Sequence, residues 1–192
     1  MCCCKAVLSM QEVKIKTTLK SPTFSIYHKL IRVHWALVYV LLFRFSPKPC
    51  FAYRAWLLRC FGASIAKNTH IYPSVRVWFP KNLQMDSGAT LGPDVNIYNQ
   101  GDIVIGCNAI VSQGAHLCAS SHDYNNPLHP LVLAPIHIEA NVWICADAFI
   151  GPGITVAEGC VVGARAVVTK DTATWGVYGG NPAKKVNERL RF

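Results

Sequence analysis

A six-residue period runs through the C-terminal part of the chain. From residue 138 onward an aliphatic residue occupies every sixth position, namely Ile138, Ile144, Ile150, Val156, Val162 and Val168. A small or medium-sized residue follows each of them four positions later, in the order Val142, Ala148, Ile154, Cys160, Ala166 and Thr172. An amphipathic helix repeats every 3.6 residues and a half-buried strand every two. Neither element explains a period of six.

The period predicts a parallel β-helix assembled from hexapeptides. Each hexapeptide would form one short strand and one corner, so three would make a triangular coil with the aliphatic residues pointing inward. The coils would stack about 4.8 Å apart, as neighbouring strands do. Blocks with the same rhythm begin at Ile65, Leu91 and Ile105 in shifted registers. A β-sandwich with coincidental spacing is the alternative, and six uninterrupted matches argue against it.

The chain divides into three predicted regions. Residues 1–60 are predicted to form a basic helical segment, because helical spacing runs through residues 24–60 and Gly62 is placed to cap its end. Residues 61–176 are predicted to form the β-helix. Residues 177–192 are predicted to form a C-terminal tail or a short helix.

The net charge of +9 is concentrated at the N-terminus. Residues 1–60 hold ten Lys and Arg against the single acid Glu12, whereas residues 61–192 hold nine charges of each sign. Residues 24–60 are expected first of all to cap the open end of the β-helix. Their charge and the apolar stretch Trp35–Phe43 also suggest peripheral contact with a membrane surface, and the two roles are compatible. Nine apolar residues are too few to span a bilayer, which needs about 20.

Composition also bears on location and on other partners. The nine cysteines include no CxxC pair, which favours reduced thiols in the cytoplasm over a disulfide framework or a zinc ribbon. The adjacent Cys2, Cys3 and Cys4 fit either a frayed terminus or a lipidation site. No nucleic-acid-binding module is recognisable, so no nucleic acid partner is expected. The predicted location is therefore cytoplasmic, with the membrane contact at the inner face.

The six-residue period breaks between Leu117 and Ile138. The break predicts a loop insertion over residues 123–137, stiffened by three prolines. Long loops that leave a short-cornered fold are commonly functional. His122 lies at the root of this loop, and imidazole is a natural general base because its pKa is close to neutral pH.

Three stretches of the sequence resemble the hexapeptide-repeat acyltransferases. They are SQGAHLCASSHDYNNP, PIHIEANVWICADAFIGPGITVAEGCVVGARAVVTKD and VYGGNPAKKV. Within that family the chain is similar to the colanic acid and exopolysaccharide acetyltransferases, and more widely to the maltose, galactoside, nodulation and xenobiotic acetyltransferases. The resemblance covers about residues 54–190. It implies a left-handed β-helix, a homotrimer with active sites between subunits, and direct acetyl transfer from acetyl-CoA without a metal.

The resemblance also implies roles for single residues. His122 matches the family's catalytic base, which would take the proton from a sugar hydroxyl. Residues that match the acetyl-CoA site are Ala146, Ala164, Thr169, Lys170 and Lys184. Residues that match the acceptor side are Tyr98, Asn99 and Trp143. Cys145 and Asp147 depart from the pattern, because smaller or neutral residues are expected beside the thioester.

Two other functions stay open from the sequence. One is a zinc enzyme resembling the γ-class carbonic anhydrases, suggested by His116 and His122, although their spacing differs from that family's site. The other is a scaffold without catalysis, built on the same solenoid. The acceptor is left as a free, nucleotide-linked or lipid-linked sugar, and the length of the acyl chain is also open.

Overall fold

The computed structural model describes residues 13–14 and 24–192. Residues 64–179 form a triangular parallel β-helix with three sheet faces. The first face contains β2 (Ser64–Ile65), β5 (Leu83–Met85), β8 (Ile103–Ile105), β13 (Ile136–Ile138) and β16 (Thr155–Val156). The second contains β3 (His70–Ile71), β6 (Thr90–Leu91), β9 (Ile110–Val111), β14 (Trp143–Ile144), β17 (Val161–Val162) and β19 (Gly176–Gly179). The third contains β4 (Arg76–Val77), β7 (Asn96–Tyr98), β10 (His116–Cys118), β15 (Phe149–Ile150) and β18 (Val167–Val168).

The predicted solenoid and its inward aliphatic residues are confirmed. All six aliphatic residues of the period, from Ile138 to Val168, are at most 1% exposed. The smaller residues that follow them are buried at the corners. The residue just before five of the six smaller ones has a positive φ; these are Asn141, Asp147, Gly153, Gly159 and Arg165. Left-handed backbone turns the chain by one corner, and Gly, Asn and Asp adopt it most easily.

Two helices precede the solenoid, as predicted. The first, α1 (Ile26–Val38), starts at Ser25, whose hydroxyl accepts a hydrogen bond from the His28 amide, and it continues into a π turn at Tyr39–Phe43. The second, α2 (Phe51–Cys60), packs on β2 and β3. The continuous helix Ile26–Phe43 has 18 residues and a mean hydropathy of 1.3, so by length and composition it could cross a membrane. It is therefore longer than the nine-residue apolar stretch suggested.

The inner face of α1 packs on the first coil. The Trp35 indole donates a hydrogen bond to the Val77 carbonyl at 2.8 Å, and its ring contacts Tyr39, Phe43 and Phe61. The π turn keeps Tyr39 and Phe43 on the same inner face as Trp35, at a spacing of four residues. The predicted cap over the first coil is thus present.

A buried arginine ties this cap to the solenoid. The Arg54 side chain is 0% exposed and donates to the carbonyls of Ile71, Pro47 and Lys48 and to the Ser46 hydroxyl. Burial lowers the pKa of its guanidinium, and the four acceptors offset the cost of removing the charge from water.

The insertion differs from the predicted range 123–137. The chain leaves the solenoid after Cys118 and returns at Ile136, forming a hairpin of β11 (Ser120–His122) and β12 (Leu131–Leu133). β1 (Val13–Lys14) extends the hairpin by pairing antiparallel with β12. Residues 136–138 are instead part of the first face, with Ile136 and Ile138 in the core. The period marks one residue per strand and so gave no sign of Ile136.

Both ends of the chain also differ from the prediction. The C-terminal segment forms β20 (Lys184–Glu188), which pairs antiparallel with β19, rather than a helix. Pairing covers the edge of the last coil, whose backbone groups would otherwise face water. At the N-terminus, residues 13–14 are extended rather than helical. The predictions for the rest of residues 1–23, including Cys2–Cys4, fall outside the described residues.

Candidate active site

His122 ends strand β11 on the inserted hairpin, where it pairs with Leu131. Its side chain is exposed, and its Nδ1 lies 2.6 Å from the carbonyl oxygen of His129. A carbonyl oxygen only accepts hydrogen bonds, so Nδ1 must carry the proton. Nε2 is then unprotonated in the neutral ring and can take a proton from a substrate.

The hairpin turn holds the carbonyl that orients His122. The His129 amide donates to the Asn126 carbonyl at 2.8 Å, and the Asp123 amide donates to the Pro130 carbonyl at 3.0 Å. His129 itself has a positive φ of 42°. The orientation of the candidate base therefore depends on a left-handed residue seven positions away in the sequence.

A cleft of about 300 Å³ opens beside His122. It is lined by Phe24, Lys29, Gln100, His122 and Leu131. The Gln100 Nε2 donates to the Tyr98 hydroxyl at 2.9 Å, while its Oε1 is buried with no partner among the described residues. A buried carbonyl oxygen without a partner is uncommon in a folded protein and marks Gln100 as a residue whose hydrogen bonding is incomplete in this chain.

Of the five residues that line this cleft, sequence reasoning identified only His122. Gln100 lies at the corner between the third and first faces, one coil before the insertion that carries His122. Because Gln100 lies one coil before the insertion at the same corner, the repeat register could have indicated that it lines the cleft. Phe24 and Lys29 reach the cleft through the packing of α1, for which the sequence carries no signal.

The predicted acceptor residues have different environments. Tyr98 is half-buried next to the cleft, where its hydroxyl holds Gln100. Asn99 is 0% exposed, and its amide binds both the N–H and the carbonyl of Phe79. Its predicted acceptor contact is therefore corrected to a structural role in this corner, because no polar atom remains for a ligand. Trp143 is exposed on the second face, and its indole donates to the Ser112 hydroxyl at 3.0 Å.

The predicted acetyl-CoA residues lie towards the C-terminal end of the solenoid. Ala146 and Ala164 follow the paired strands β14 and β17 at equal offsets, so they stack one coil apart at the corner between the second and third faces. Lys184 pairs with Gly179, which continues the second face beyond β17. These three residues form a row parallel to the solenoid axis.

Thr169 and Lys170 are exposed just after β18, at the corner between the third and first faces. The hairpin that carries His122 leaves the same corner two coils earlier. Within one chain, His122 and the row of Ala146, Ala164 and Lys184 therefore lie on different corners of the triangle.

Cys145 and Asp147, the two departures from the family pattern, are accommodated at the corner between the second and third faces. Asp147 is an exposed corner residue with a φ of 57°, and it forms a 3.6 Å ion pair with Arg165 in the next coil. Burial raises the pKa of the Cys145 thiol. That thiol is accordingly a poor nucleophile, because the thiolate is the reactive form.

His116 does not share a site with His122. Its ring packs edge-on between Tyr98 and Phe149 on the third face, with Nε2 buried and unpaired among the described residues. Burial lowers the pKa of this imidazole. In the described part of the chain, no group of three or more His, Cys, Asp or Glu could hold a metal ion.

Comparison with known proteins agrees with the hexapeptide coils. Residues 135–170 match the family described as bacterial transferase hexapeptide, six repeats. WcaF of Escherichia coli K12, which is assigned as a colanic acid biosynthesis acetyltransferase, is 40% identical over 156 residues, covering 81% of this chain and 86% of WcaF. The chain belongs to the hexapeptide-repeat acetyltransferases.

Other members of this acetyltransferase family are more distant. Galactoside O-acetyltransferase of Escherichia coli K12 is 26% identical over 138 residues, covering 70% of this chain and 68% of its own. The crystal structure of the acetyltransferase VCA0836 from Vibrio cholerae, complexed with acetyl coenzyme A, superposes with a TM-score of 0.77 at 23% identity. It covers 87% of this chain and 91% of VCA0836, and the likeness shows that the two share a fold.

Proposed function

We propose that this protein is an O-acetyltransferase that moves the acetyl group of acetyl-CoA onto a hydroxyl of a sugar or exopolysaccharide precursor. The observation that carries the proposal is His122, whose Nδ1 is bound to the His129 carbonyl beside an open cleft. The names of WcaF and of galactoside O-acetyltransferase support a saccharide acceptor. The complex of VCA0836 supports the donor.

The chemistry follows from the tautomer of His122. Its Nε2 takes the proton of the acceptor hydroxyl while that oxygen forms a bond to the thioester carbonyl carbon. The carbon–sulfur bond then breaks, and the CoA sulfur leaves with the proton returned by the imidazolium. The His129 carbonyl accepts the hydrogen bond from Nδ1 and keeps the ring oriented throughout. General acid–base catalysis of this kind contributes about 10²–10⁴-fold in rate.

The donor fits the row of small residues at the C-terminal end. Ala146 and Ala164 project only methyl groups, so a narrow pantetheine arm has room along this corner. Lys184 lies at the end of the row, and Lys170 is exposed beside Thr169. Cations at these positions suit the several phosphate charges of CoA.

The acceptor fits the cleft at His122. Gln100 lines this cleft and would lie beside a second sugar hydroxyl. The apolar Phe24 and Leu131 would pack on a sugar ring, while Lys29 would pair with the anionic carrier group of a nucleotide-linked or lipid-linked acceptor. Trp143 stays a proposed wall of the site.

A homotrimer would complete the site. His122 and the alanine row lie on different corners of one triangle, so a neighbouring subunit can bring the row of one chain to the base of the next. We place the reaction in the cytoplasm, where thiols stay reduced, because Cys50, Cys60, Cys118, Cys145 and Cys160 are free.

The test separates donor binding from turnover. We expect the wild type and His122→Ala to bind acetyl-CoA alike in a calorimetric titration, near one site per chain. His122→Ala should lose about 10²–10⁴-fold in acetyl transfer, whereas His34→Ala, an exposed histidine on α1, should retain the wild-type rate. Full turnover by His122→Ala would exclude His122 as the base. A folded protein that does not bind acetyl-CoA would favour the scaffold, and stoichiometric zinc would favour the zinc enzyme.

A further inference from the structure

The outer face of α1 is apolar along its whole length. Its exposed residues are Ile26 (74% exposed), Leu30 (61%), Val33 (60%), Leu37 (56%), Leu41 (69%) and Phe45 (77%). They are spaced three or four residues apart, so they form one stripe along the helix. This outer stripe lies opposite Trp35 and Phe43, which face the solenoid.

A contiguous exposed apolar stripe of this length commonly marks an interaction site. Only 11% of the window Ile26–Phe43 is buried within the chain. The π turn at Tyr39–Phe43 keeps Leu41 and Phe45 in line with Leu37, while Phe43 stays inside. The helix thus maintains two apolar faces at once, and the outer stripe requires an apolar partner.

The charge around the outer stripe favours an anionic partner over a second copy of the same surface. No Asp or Glu lies between Glu12 and Asp86. Lys29, Arg44 and Lys48 are exposed beside the stripe or at its C-terminal end. Two copies of this surface placed face to face would bring like charges together without an acid to pair them. An anionic lipid surface offers both an apolar interior and negative headgroups.

The packing of the inner face of α1 determines how this helix would lie relative to a bilayer. A helix that crossed the bilayer would lose the Trp35 hydrogen bond to Val77 and the contacts of Phe43. A helix in the plane of the interface keeps both and still buries the stripe. A groove of about 720 Å³ between α1 and the solenoid, lined in part by Tyr27, Leu30 and Phe79, adds apolar surface alongside the stripe.

We propose that the outer stripe of α1 docks in the plane of an anionic lipid bilayer. Because Phe24 and Lys29 also line the His122 cleft, docking places that cleft close to the membrane surface. This consequence rests on the proposed function, whereas docking itself does not. It would favour acceptors that are carried by the lipid.

Vesicle sedimentation with the full-length chain tests the proposal. We expect the wild type to sediment with vesicles of 70% phosphatidylcholine and 30% phosphatidylglycerol, and to bind more weakly to pure phosphatidylcholine. The double variant Leu37→Asp/Leu41→Asp should lose at least about tenfold in partitioning, because it removes apolar area and adds negative charge to the stripe. Val186→Asp/Leu190→Asp is the matched control, since it makes the same changes at exposed residues of the C-terminal end.

Three results would overturn docking through this stripe. The first is a wild type that stays in the supernatant with anionic vesicles. The second is equal loss of binding in the stripe variant and the control. The third is a change in oligomeric mass of the stripe variant without vesicles, which would assign the stripe to a second copy. Acetyl-CoA binding, measured on the stripe variant, is expected to be unchanged and keeps this test separate from the proposed function.

Discussion

The carbonyl of His129 determines which nitrogen of His122 carries the proton. The side chain of His129 is exposed, so its contribution is a backbone oxygen placed by a left-handed φ. The residue that orients the base is therefore recognisable by its conformation and not by its side-chain chemistry. A sequence reading finds His122 from its place at the break, but it has no means of finding this partner.

Substitution of His129 tests that dependence. His129→Gly keeps the carbonyl and adopts a positive φ easily, so we expect an acetyl-transfer kcat close to that of the wild type. His129→Val disfavours the left-handed region by about 1–2 kcal/mol, which corresponds to roughly a tenfold lower kcat. Release of free CoA thiol measures the rate. Equal kcat in both variants would remove His129 from this role.

His116 provides a prediction on stability and pH. Burial lowers its pKa in the folded state below the usual 6.5, so the unfolded chain binds a proton that the folded chain resists. The free energy of unfolding should therefore fall as the pH drops from about 7 to 5. Urea unfolding at several pH values measures this slope. In His116→Phe, which keeps an aromatic ring between Tyr98 and Phe149, the slope should be smaller; an unchanged slope would contradict the assignment.

His28 should keep the pH slope of the His116→Phe variant above zero. Its pKa is also lowered, by burial first and by the nearby Arg32 second. It lies on α1, and its ring contacts Trp78 and Phe79 directly after β4 of the third face. The remaining fall in stability below pH 6.5 should therefore be removed only when both imidazoles are replaced.

Within one coil, the corners restrict the amino acid at a position more than the strands do. Gly153 and Gly159 both have a positive φ, of 76° and 67°. A Cβ at position 153 would make an ordinary 3.5 Å contact with Ala134, whereas at position 159 it would overlap the Trp175 ring. The two glycines thus share a backbone requirement and differ in the space beside them.

This difference gives a matched pair of variants. Gly153→Ala should lower the free energy of unfolding by about 1–2 kcal/mol, the cost of left-handed backbone with a Cβ. Gly159→Ala should cost about 1–3 kcal/mol more, because Trp175 or the coil must shift. Urea unfolding measures both. Equal losses would show that the Trp175 ring moves aside without cost.

The period of six predicted the coils because each strand repeats one physical environment. The six aliphatic residues of the period, from Ile138 to Val168, are all buried inside the triangular coil. Each strand therefore needs an aliphatic residue at the same position, which produces the fixed interval in the sequence. The elements outside the repeat lack such a signal. The C-terminal hairpin forms because β19 leaves an open edge, which is a property of the assembled coil and not of residues 184–188 themselves.

Helix α1 shows the same limit on the acceptor side. Its apolar spacing predicted a helix, but both faces of that helix are apolar. The pattern alone could not say which face packs on the solenoid, so Phe24 and Lys29 were not placed at the His122 cleft. The inner face is determined by tertiary packing, in which Trp35 donates a hydrogen bond to the carbonyl of Val77.

At the scale of the whole molecule, the two halves of the proposed site are divided between corners. His122 projects from the corner between the third and first faces, and Ala146 and Ala164 stack at the corner between the second and third. A cyclic trimer repeats both corners at each interface. Each site would then take its base from one subunit and its donor groove from the next.

Mixing two inactive variants tests this arrangement. His122→Ala lacks the base, and Ala164→Trp fills the proposed groove with a bulky ring at an exposed position. In a cyclic trimer any mixed assembly contains one interface that joins an intact base to an intact groove. Random co-assembly at equal amounts should therefore restore about a quarter of the wild-type rate of CoA release. The measurement requires unfolding and refolding the mixture, with each variant treated alone as the control. Activity that stays at the level of the separate variants, in trimers shown by mass to be mixed, would place base and groove within the same subunit.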